Sequence, residues 1–285
     1  MKVMKLPSNT PMKLMVAAAV LSAGTILRAD SPAPAPPPPS YADLADLADS
    51  TPLVIRAQPR KLTRLEPERA RGVRAGWGRF YVEAKTEALV AGSGSLGQAL
   101  RYLVDLPLDP KGKPPKFRKK SVVLFARAVP GRIGELQLVA PDAQLLWDPA
   151  LDARLRGVLV ELFAPAAPQR VAGVREAIFV PGTLAGEGET QLFLTTANGE
   201  PAALTVARKP GQPTRWGASF SELVAAEGTA PPRDTLAWYR LACFLPRELP
   251  GSTAVLGNAA ERAAAARDYR FVIEQLGPCP RTRAK

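Results

Sequence analysis

The stretch RFYVEAKTEALVA, residues 79–91, alternates apolar and polar side chains and places Phe80, Val82 and Ala84 on one face. A period of two residues predicts a β-strand with one buried face. The preceding stretch PLVIRAQPR, residues 52–60, carries a Leu-Val-Ile run that predicts a partner strand. We therefore expect the fold to start from two antiparallel strands.

Three further short apolar runs follow this pair. They cover Gln98–Val104, Ser121–Ala128 and Glu135–Val139. Because the runs are short and the connections between them are long, we expect a small sheet or barrel, analogous to an OB-like barrel.

An amphipathic helix comes next, and its start is marked by two residues. Asp148 is the expected N-cap, and Pro149 takes the first helical position, where a backbone N–H is not needed. Apolar residues from Leu151 to Leu162 recur on one face. We expect the helix to end near Phe163, before two prolines.

Residues 171–224 predict a second β unit. Its clearest signal is Asn198-Gly199, which lies between the runs Gln191–Thr196 and Ala202–Arg208. This dipeptide is typical of a two-residue hairpin turn, in which both central residues need positive φ. Arg215–Phe220 predicts a further strand after the turn at Pro210-Gly211.

The C-terminal tail predicts two helices. Asp234 is the expected cap of Thr235–Leu245, while Asn258 and Glu261 have the spacing of a capping box for a helix that ends at Leu276. Two antiparallel helices would bring Cys243 and Cys279 together, and in an oxidising compartment this pair predicts a disulfide. The alternative is two buried, reduced thiols.

The tail segments DTLAWYRLACFLP and DYRFVIEQLGPCP resemble those of a set of exported proteins of Gram-negative bacteria. The resemblance extends over most of the mature chain and implies a location in the cell envelope. It implies no activity, no cofactor and no site residues.

These patterns predict an α+β fold with two antiparallel β-rich subdomains, joined by the amphipathic helix and followed by a C-terminal helical hairpin. The expected divisions are residues 1–29 (signal peptide), 30–50 (Pro-rich leader and short helix), 51–147 (basic β-rich subdomain), 148–164 (linking helix), 165–232 (β-meander subdomain) and 233–285 (disulfide-tethered hairpin).

The first 29 residues have the layout of a secretory signal peptide. Lys2, Lys5 and Lys13 precede the apolar run 14–27, which is shorter than the roughly 20 residues of a membrane span. We expect cleavage after Ala29, with cleavage at Ala23 or an uncleaved anchor as alternatives. The expected location is therefore the periplasm or the medium. Residues 32–39 then hold six prolines and predict an extended spacer.

Positive charge is concentrated in one region of the chain. The whole sequence has a net charge of +12, and residues 51–132 alone hold 18 Lys and Arg against six Asp and Glu. We call this region the basic half. Such asymmetry indicates the kind of partner and says nothing about fold.

The densest basic run covers residues 111–120, and its members are the candidate ligand-binding residues. They are Lys111, Lys113, Lys116, Phe117, Arg118, Lys119 and Lys120. Outside the cytoplasm, lipid head groups, lipopolysaccharide or acidic glycans are the expected anionic partners, and we do not expect nucleic acid. The alternative is a solvated loop without a ligand. Other basic residues of the same half could extend the patch: Arg56, Arg60, Lys61, Arg64, Arg69, Arg71, Arg74 and Arg79.

The composition excludes several catalytic classes. The chain contains no histidine, so Ser-His-Asp and Cys-His catalysis and the usual zinc sites are ruled out. The motif Gly92-Ser-Gly-Ser-Leu-Gly97 matches a dinucleotide fingerprint, but its strand alternates polar and apolar residues, so we expect a hairpin loop and no cofactor. Carboxylates that could serve a hydrolase are expected to be solvated surface charges: Glu83, Glu87, Asp105, Glu187 and Glu189.

Three functions remain open from the sequence. The leading hypothesis is an exported, non-enzymatic envelope protein whose basic half binds an anionic surface or polymer. The second is a carboxylate-dependent hydrolase acting on envelope glycans. The third is a scaffold that binds a periplasmic partner protein through the β-meander around Asn198-Gly199.

Overall fold

The computed structural model describes residues 1, 3, 37–94, 96–117, 119–221 and 229–283. The expected signal peptide, apart from Met1 and Val3, lies outside these ranges, as do its expected cleavage point after Ala29 and Arg118 of the basic run. Within the described residues, no helix is both long enough and apolar enough to cross a membrane.

Eleven strands and four α-helices make up the described chain, which confirms the α+β class. The first six strands are β1 (Leu53–Arg64), β2 (Trp77–Ala91), β3 (Ala99–Pro107), β4 (Val122–Ala128), β5 (Leu136–Leu138) and β6 (Gln144–Leu146). They form one antiparallel sheet in the order β3-β2-β1-β4-β5, with β6 paired to β4. The alternation in β2 is confirmed, because Phe80, Val82 and Ala84 are all buried.

The first sheet curls until its two edges meet. Arg101 of β3 forms a parallel bridge with Glu135, just before β5, and the Arg101 N–H donates to the Gly134 carbonyl at 2.8 Å. Five strands therefore make a partly open barrel, as the OB-like analogy predicts. Gly134 adopts a φ of +77°, and a Cβ there would lie 2.7 Å from the Ala99 carbonyl oxygen. The edges can approach this closely because residue 134 has no side chain.

The second sheet contains β7 (Val171–Pro181), β8 (Gly188–Thr196), β9 (Ala202–Arg208), β10 (Arg215–Ser219) and the short β11 (Ala254–Val255). Its order is β10-β9-β8-β7-β11, and only the β11–β7 pair is parallel.

The predicted hairpin around Asn198-Gly199 exists, but its predicted turn is wrong. Five residues, 197–201, separate β8 from β9, and of the two central residues only Gly199 has positive φ. The Thr196 hydroxyl donates to the Glu200 carbonyl at 2.6 Å, which closes this longer loop. The side-chain bond replaces the tight backbone turn expected from the dipeptide.

The helices are α1 (Tyr41–Asp49), α2 (Pro149–Leu162), α3 (Leu236–Ala242) and α4 (Ala259–Leu276), with a short 3₁₀ turn at Pro67–Arg69. The predicted start of α2 is confirmed, because the Asp148 carboxylate accepts from the Leu151 N–H at 2.8 Å. The capping box of α4 between Asn258 and Glu261 is confirmed as well.

The predicted cap of α3 is wrong. Thr235 is the N-cap, and its hydroxyl accepts from the Trp238 N–H at 3.3 Å. Asp234 has a φ of +59° and belongs to the preceding turn. The helix also ends at Ala242, short of the predicted Leu245. Asp and Thr both serve as N-cap residues, so the residue types alone did not distinguish Asp234 from Thr235.

Both sheets and all four α-helices contribute to one continuous hydrophobic core. Helix α4 is fixed to the second sheet by Asp268, which is fully buried. Its carboxylate accepts from the Thr190 hydroxyl at 2.5 Å and from the Arg208 Nε at 2.6 Å. The expected subdomain boundaries at 147/148, 164/165 and 232/233 stay predictions.

Helix α1 carries three aspartates at a spacing of three residues, and each binds a distant part of the chain. Asp43 accepts from the Thr282 hydroxyl at 2.6 Å, and Asp46 accepts from the Tyr239 hydroxyl at 2.7 Å. Asp49 accepts two bonds from the buried Arg240 guanidinium at 2.7 and 2.8 Å. The short helix predicted within residues 30–50 is therefore α1, which binds both α3 and residues 281–283.

The predicted disulfide between Cys243 and Cys279 is present, with the two Cα atoms 5.1 Å apart. Cys243 is the C-cap of α3, and Cys279 follows the C-terminus of α4. The Trp238 Nε1 donates to the Leu276 carbonyl at 2.9 Å, while the Tyr269 hydroxyl donates to the Pro246 carbonyl at 2.5 Å. These contacts, together with the disulfide, join α3 and the segment that follows it to the second half of α4 and the residues after it.

We expect the double variant Cys243→Ser/Cys279→Ser to lose about 3 to 4 kcal/mol of unfolding free energy. The bridge spans 36 residues, and its main effect in the chain-entropy model is on the unfolded state. Urea unfolding measures the change. Reductant should destabilise the parent protein by a similar amount and leave the variant unaffected, and a variant as stable as the parent would contradict the prediction.

The stability contributed by Asp43 should depend on pH. Burial of Asp43 opposes its ionisation, but hydrogen bonds from Thr282, Ser40 and Arg283 outweigh burial and hold its pKa below the usual value. An aspartate with a lowered folded-state pKa stabilises the fold above its unfolded-state pKa, and this stability is lost as the pH falls through the folded-state pKa. We therefore expect Asp43→Asn to cost about 1 to 3 kcal/mol at neutral pH.

The difference between Asp43→Asn and the parent should shrink below about pH 4, where aspartate begins to take up a proton. Urea titrations between neutral and acidic pH measure this difference. Asp234→Asn is the control, because Asp234 is exposed and Asn tolerates its positive φ. A pH-independent difference for Asp43→Asn would rule out the ionised carboxylate as its cause.

Candidate functional site

The outer face of the β2–β3 pair is the floor of a long groove in the basic half. Three cross-strand pairs lie on this face in register: Arg79 with Asp105, Tyr81 with Leu103, and Glu83 with Arg101. Successive pairs on one face are about 6.6 Å apart along the strands. An apolar pair therefore lies between two pairs that carry charge.

The groove has a volume of about 1050 Å³ and is bordered by two loops. The β1–β2 loop contributes Leu65, Glu66 and Arg69, and the β4–β5 loop contributes Val129, Arg132 and Glu135. We call this feature the barrel groove. Six arginines line it against three carboxylates: Arg64, Arg69, Arg79, Arg101, Arg127 and Arg132 against Glu66, Asp105 and Glu135.

One end of the floor is fixed by an ion pair. The Arg79 guanidinium donates two hydrogen bonds to Asp105, at 2.7 and 2.8 Å. The hydrogen bond to Asp105 raises the pKa of Arg79, so this guanidinium stays charged. Arg79 also donates to the Arg71 carbonyl at 3.3 Å, which holds the β1–β2 loop at the edge of the groove.

The remaining arginines of the groove differ in how far they are already paired. Arg132 contacts Glu135 at 3.2 Å, and Arg127 donates to the neutral Gln137 at 3.0 Å. Arg69 and Arg101 are exposed and form no ion pair with any described residue. Four guanidiniums around this groove, those of Arg64, Arg69, Arg101 and Arg127, therefore have no carboxylate within ion-pair distance among the described residues.

Apolar surface accompanies these cations. Tyr81 is 36% exposed and Leu103 is 46% exposed, and the two residues face each other across the strands. Tyr102, the other tyrosine of the groove, is only 2% exposed and donates to Gln144 at 2.7 Å. The floor therefore offers one accessible aromatic ring.

The basic run predicted as the site lies in the β3–β4 connection, residues 108–121, which we call the basic loop. All its described lysines are exposed: Lys111, Lys113, Lys116, Lys119 and Lys120. The Asp109 carboxylate accepts from the Lys111 and Lys113 N–H groups at 2.9 and 2.8 Å, which shapes the start of the loop. Phe117 is half-buried and packs against the core, so only part of its ring is available to a ligand.

A second groove, the loop groove, lies between the basic loop and β1. It has a volume of about 1060 Å³ and is lined by four cations: Arg60, Lys61, Lys113 and Lys116. Consecutive residues of β1 line the two grooves, and the Arg64 guanidinium contacts the Gly112 carbonyl at 3.4 Å. The barrel groove and the loop groove therefore adjoin at Arg64.

The other basic residues named from sequence do not all join this surface. Arg56 contacts Glu87 at 3.3 Å and lies 5.0 Å from the Trp147 ring. Arg74 lies 4.0 Å from the Trp77 ring. These two guanidiniums are engaged in contacts away from both grooves.

The Gly92–Gly97 motif joins two antiparallel strands and is followed by β3, so the hairpin loop expected from the sequence is present. A dinucleotide site requires a helix at this point, whose N-terminus would face the pyrophosphate. Gly92 has a φ of +100°, and a Cβ there would lie 2.1 Å from the Pro52 carbonyl oxygen. The backbone of Pro52 packs so closely against residue 92 that only glycine fits there.

The five carboxylates considered for a hydrolase are dispersed over the two sheets. Glu83 pairs with Lys61 at 3.4 Å, Glu87 with Arg56, and Asp105 with Arg79. The expectation that all five are solvated is wrong for Asp105, which is 7% exposed because it lies in the ion pair with Arg79. Glu187 accepts from the Thr183 N–H in the β7–β8 loop, and Glu189 accepts from Gln191 on the same strand, β8. No cluster of metal-ligating side chains occurs among the described residues.

Arg101, Arg127 and Tyr81 are groove residues that were not predicted from the sequence. The available signal was the alternation in ALRYLVDLP, residues 99–107, where Arg101 and Leu103 alternate with the buried Leu100 and Tyr102. Period two predicts that Arg101 and Leu103 share the outer face. It does not predict that β4 and the loops bring further arginines to the same face.

The chain matches no protein-family model and no curated protein. Among solved structures it is similar to the di-domain ARO/CYC StfQ from the steffimycin biosynthetic pathway, at 14% identity and a TM-score of 0.11, over 66% of this chain and 75% of that one. A similarity this low carries no argument about fold or function.

Closure of the barrel beside the groove should depend on Gly134. Gly134 and Gly131 lie in the same loop with φ of +77° and +73°, but only Gly134 has a backbone atom within reach of an added Cβ. Each Gly→Ala change should cost roughly 1 to 2 kcal/mol for the left-handed backbone. Gly134→Ala should cost about 1 to 3 kcal/mol more, because the strand edges must separate.

Urea unfolding of the two variants measures this difference directly. Gly131→Ala is the matched control for backbone conformation. Equal losses in the two variants would show that the contact between the strand edges does not limit closure.

Proposed function

We propose that this is an exported, non-enzymatic protein of the cell envelope whose basic half binds an anionic surface or polymer. The observation that carries the proposal is the convergence of cations on two adjoining grooves. Six arginines line one groove, and four cations line the other. Among the described residues, none beyond Pro141 lines either groove.

The expected location supports anionic envelope components as partners. The first 29 residues have the pattern of a signal peptide cleaved after Ala29, and the disulfide suits an oxidising compartment such as the periplasm. Lipid head groups, lipopolysaccharide and acidic glycans are the polyanions expected there. All of them present phosphate or carboxylate groups, which guanidinium groups bind strongly.

Binding should be electrostatic and should weaken with salt. We expect the protein to bind at least one of three probes at low ionic strength: phosphatidylglycerol vesicles, lipopolysaccharide or a polyuronate. Binding should fall steeply as salt shortens the screening length from about 30 Å at 0.01 M to about 8 Å at 0.15 M. Cosedimentation for vesicles and titration calorimetry for the polymers measure the effect.

A charge-matched pair of variants locates this binding. The test variant removes four cations from the two grooves, Lys113→Ser, Lys116→Ser, Arg101→Gln and Arg127→Gln. The control removes four exposed cations elsewhere, by substituting Gln at Arg175, Arg247, Arg267 and Arg270. We expect the test variant to lose binding and the control to retain it. Absent binding, salt-independent binding or equal loss in both variants would contradict the proposal.

A further inference from the structure

We infer that the ligand site of the basic half is the barrel groove and that it takes an acidic polysaccharide, bound as a single extended strand. This inference rests on the proposed function and adds the location of the site and the chemical class of its ligand. Three features carry it, namely the shape of the groove, the mixed chemistry of its floor and the separation of its available guanidiniums.

The shape of the groove favours a polymer strand over a membrane surface. Its floor lies between the β1–β2 loop and the β4–β5 loop, and residues of both loops line it. A flat bilayer rests on the rims of such a groove, whereas a single strand can lie along the floor. Arg101 and Tyr81 lie on the floor strands, so a strand in the groove contacts them directly.

The floor combines apolar and charged groups at the spacing of successive cross-strand pairs. Tyr81 and Leu103 form the apolar pair, and Arg101 follows at the next pair, about 6.6 Å along. A sugar ring has an apolar C–H face, which can cover Tyr81 and Leu103, and a uronic acid carries its carboxylate at the ring edge. A phospholipid head group would form ion pairs with the arginines but would leave the apolar surface of Tyr81 and Leu103 without a contact.

The same floor argues against nucleic acid. Proteins that bind single strands stack successive bases on several aromatic side chains. In this groove only Tyr81 is accessible, because Tyr102 is buried in the barrel. The single accessible ring of Tyr81 can contact the face of one sugar, while the arginines of the groove contact the carboxylates of the others.

The available guanidiniums are spread around the groove. Arg101 lies on β3, Arg127 on β4 and Arg69 in the β1–β2 loop, and none of the three has a carboxylate partner among the described residues. Arg79 and Arg132 are already paired with Asp105 and Glu135. Separated guanidiniums match a chain of repeating carboxylates better than one compact anion, because each can form its own two-pronged bond.

The test is titration calorimetry of the full mature chain with an oligomer of uronic acids prepared from alginate. We expect this oligomer to bind and a neutral dextran oligomer of equal length not to bind. Arg101→Gln and Arg127→Gln should each weaken binding by about tenfold, through loss of a charged hydrogen bond. Tyr81→Ala should weaken it as well, while Arg267→Gln/Arg270→Gln, which removes two exposed cations of α4 that line neither groove, should leave the affinity within about twofold.

All three substituted groove residues are exposed, so thermal melts should show that the variants fold. Binding to phosphatidylglycerol vesicles or single-stranded DNA without binding to the uronic-acid oligomer would overturn this inference, and the vesicle result would leave the proposed function standing. Loss of oligomer binding in a Lys113→Ser/Lys116→Ser variant of the loop groove, with no effect of the three barrel-groove substitutions, would also overturn it. Absence of binding to every anionic probe would remove both proposals.

Discussion

The ion pairs and hydrogen bonds of helix α1 join residues 41–49 to α3 and to residues 281–283. Asp43, Asp46 and Asp49 lie on a helix that is otherwise packed into the core through Leu44 and Leu47. Asp43 is buried, and a buried carboxylate is costly unless its oxygens are satisfied. All three aspartates receive hydrogen bonds from residues about 190 to 240 positions later. The position of α1 therefore depends on contacts with α3 and with the residues after α4.

The same network extends to the barrel groove. The Arg283 N–H donates to Asp43 at 3.2 Å, and its guanidinium donates to Asp142 at 2.7 Å. Beside Asp142, the Pro141 carbonyl accepts from the Asp105 N–H at 2.7 Å, and Asp105 binds Arg79 on the groove floor. Because the disulfide at Cys279 tethers the tail close to these contacts, it supports the position of one end of the groove.

The charge of the basic half indicates ligand binding only after the cations that are paired within the fold are separated from those that are not. Several serve the fold, since Arg79 and Arg56 neutralise nearby carboxylates and Arg74 stacks on Trp77. Others keep their charge available along two adjoining grooves. The net charge of a region counts the cations that are paired within the fold together with those that are not. Ligand binding depends only on the cations that are not paired.

Local signals determined much of the fold. Alternation in residues 79–91 predicted β2, and the caps at Asp148 and Asn258 predicted α2 and α4, because these features depend on residues within a few positions. The disulfide followed from two helices and an even cysteine count. The sequence also concentrated the positive charge in residues 51–132.

Tertiary structure decided what depends on distant residues. The closure of β3 on β5 beside Gly134, the burial of Asp105 and the partners of the α1 aspartates all join segments whose proximity no local pattern encodes. The same holds for the barrel groove, because Arg101, Arg127 and Tyr81 come from three different strands. Sequence marked the basic loop, where cations are consecutive, while the fold assembled a groove from cations that are far apart along the chain.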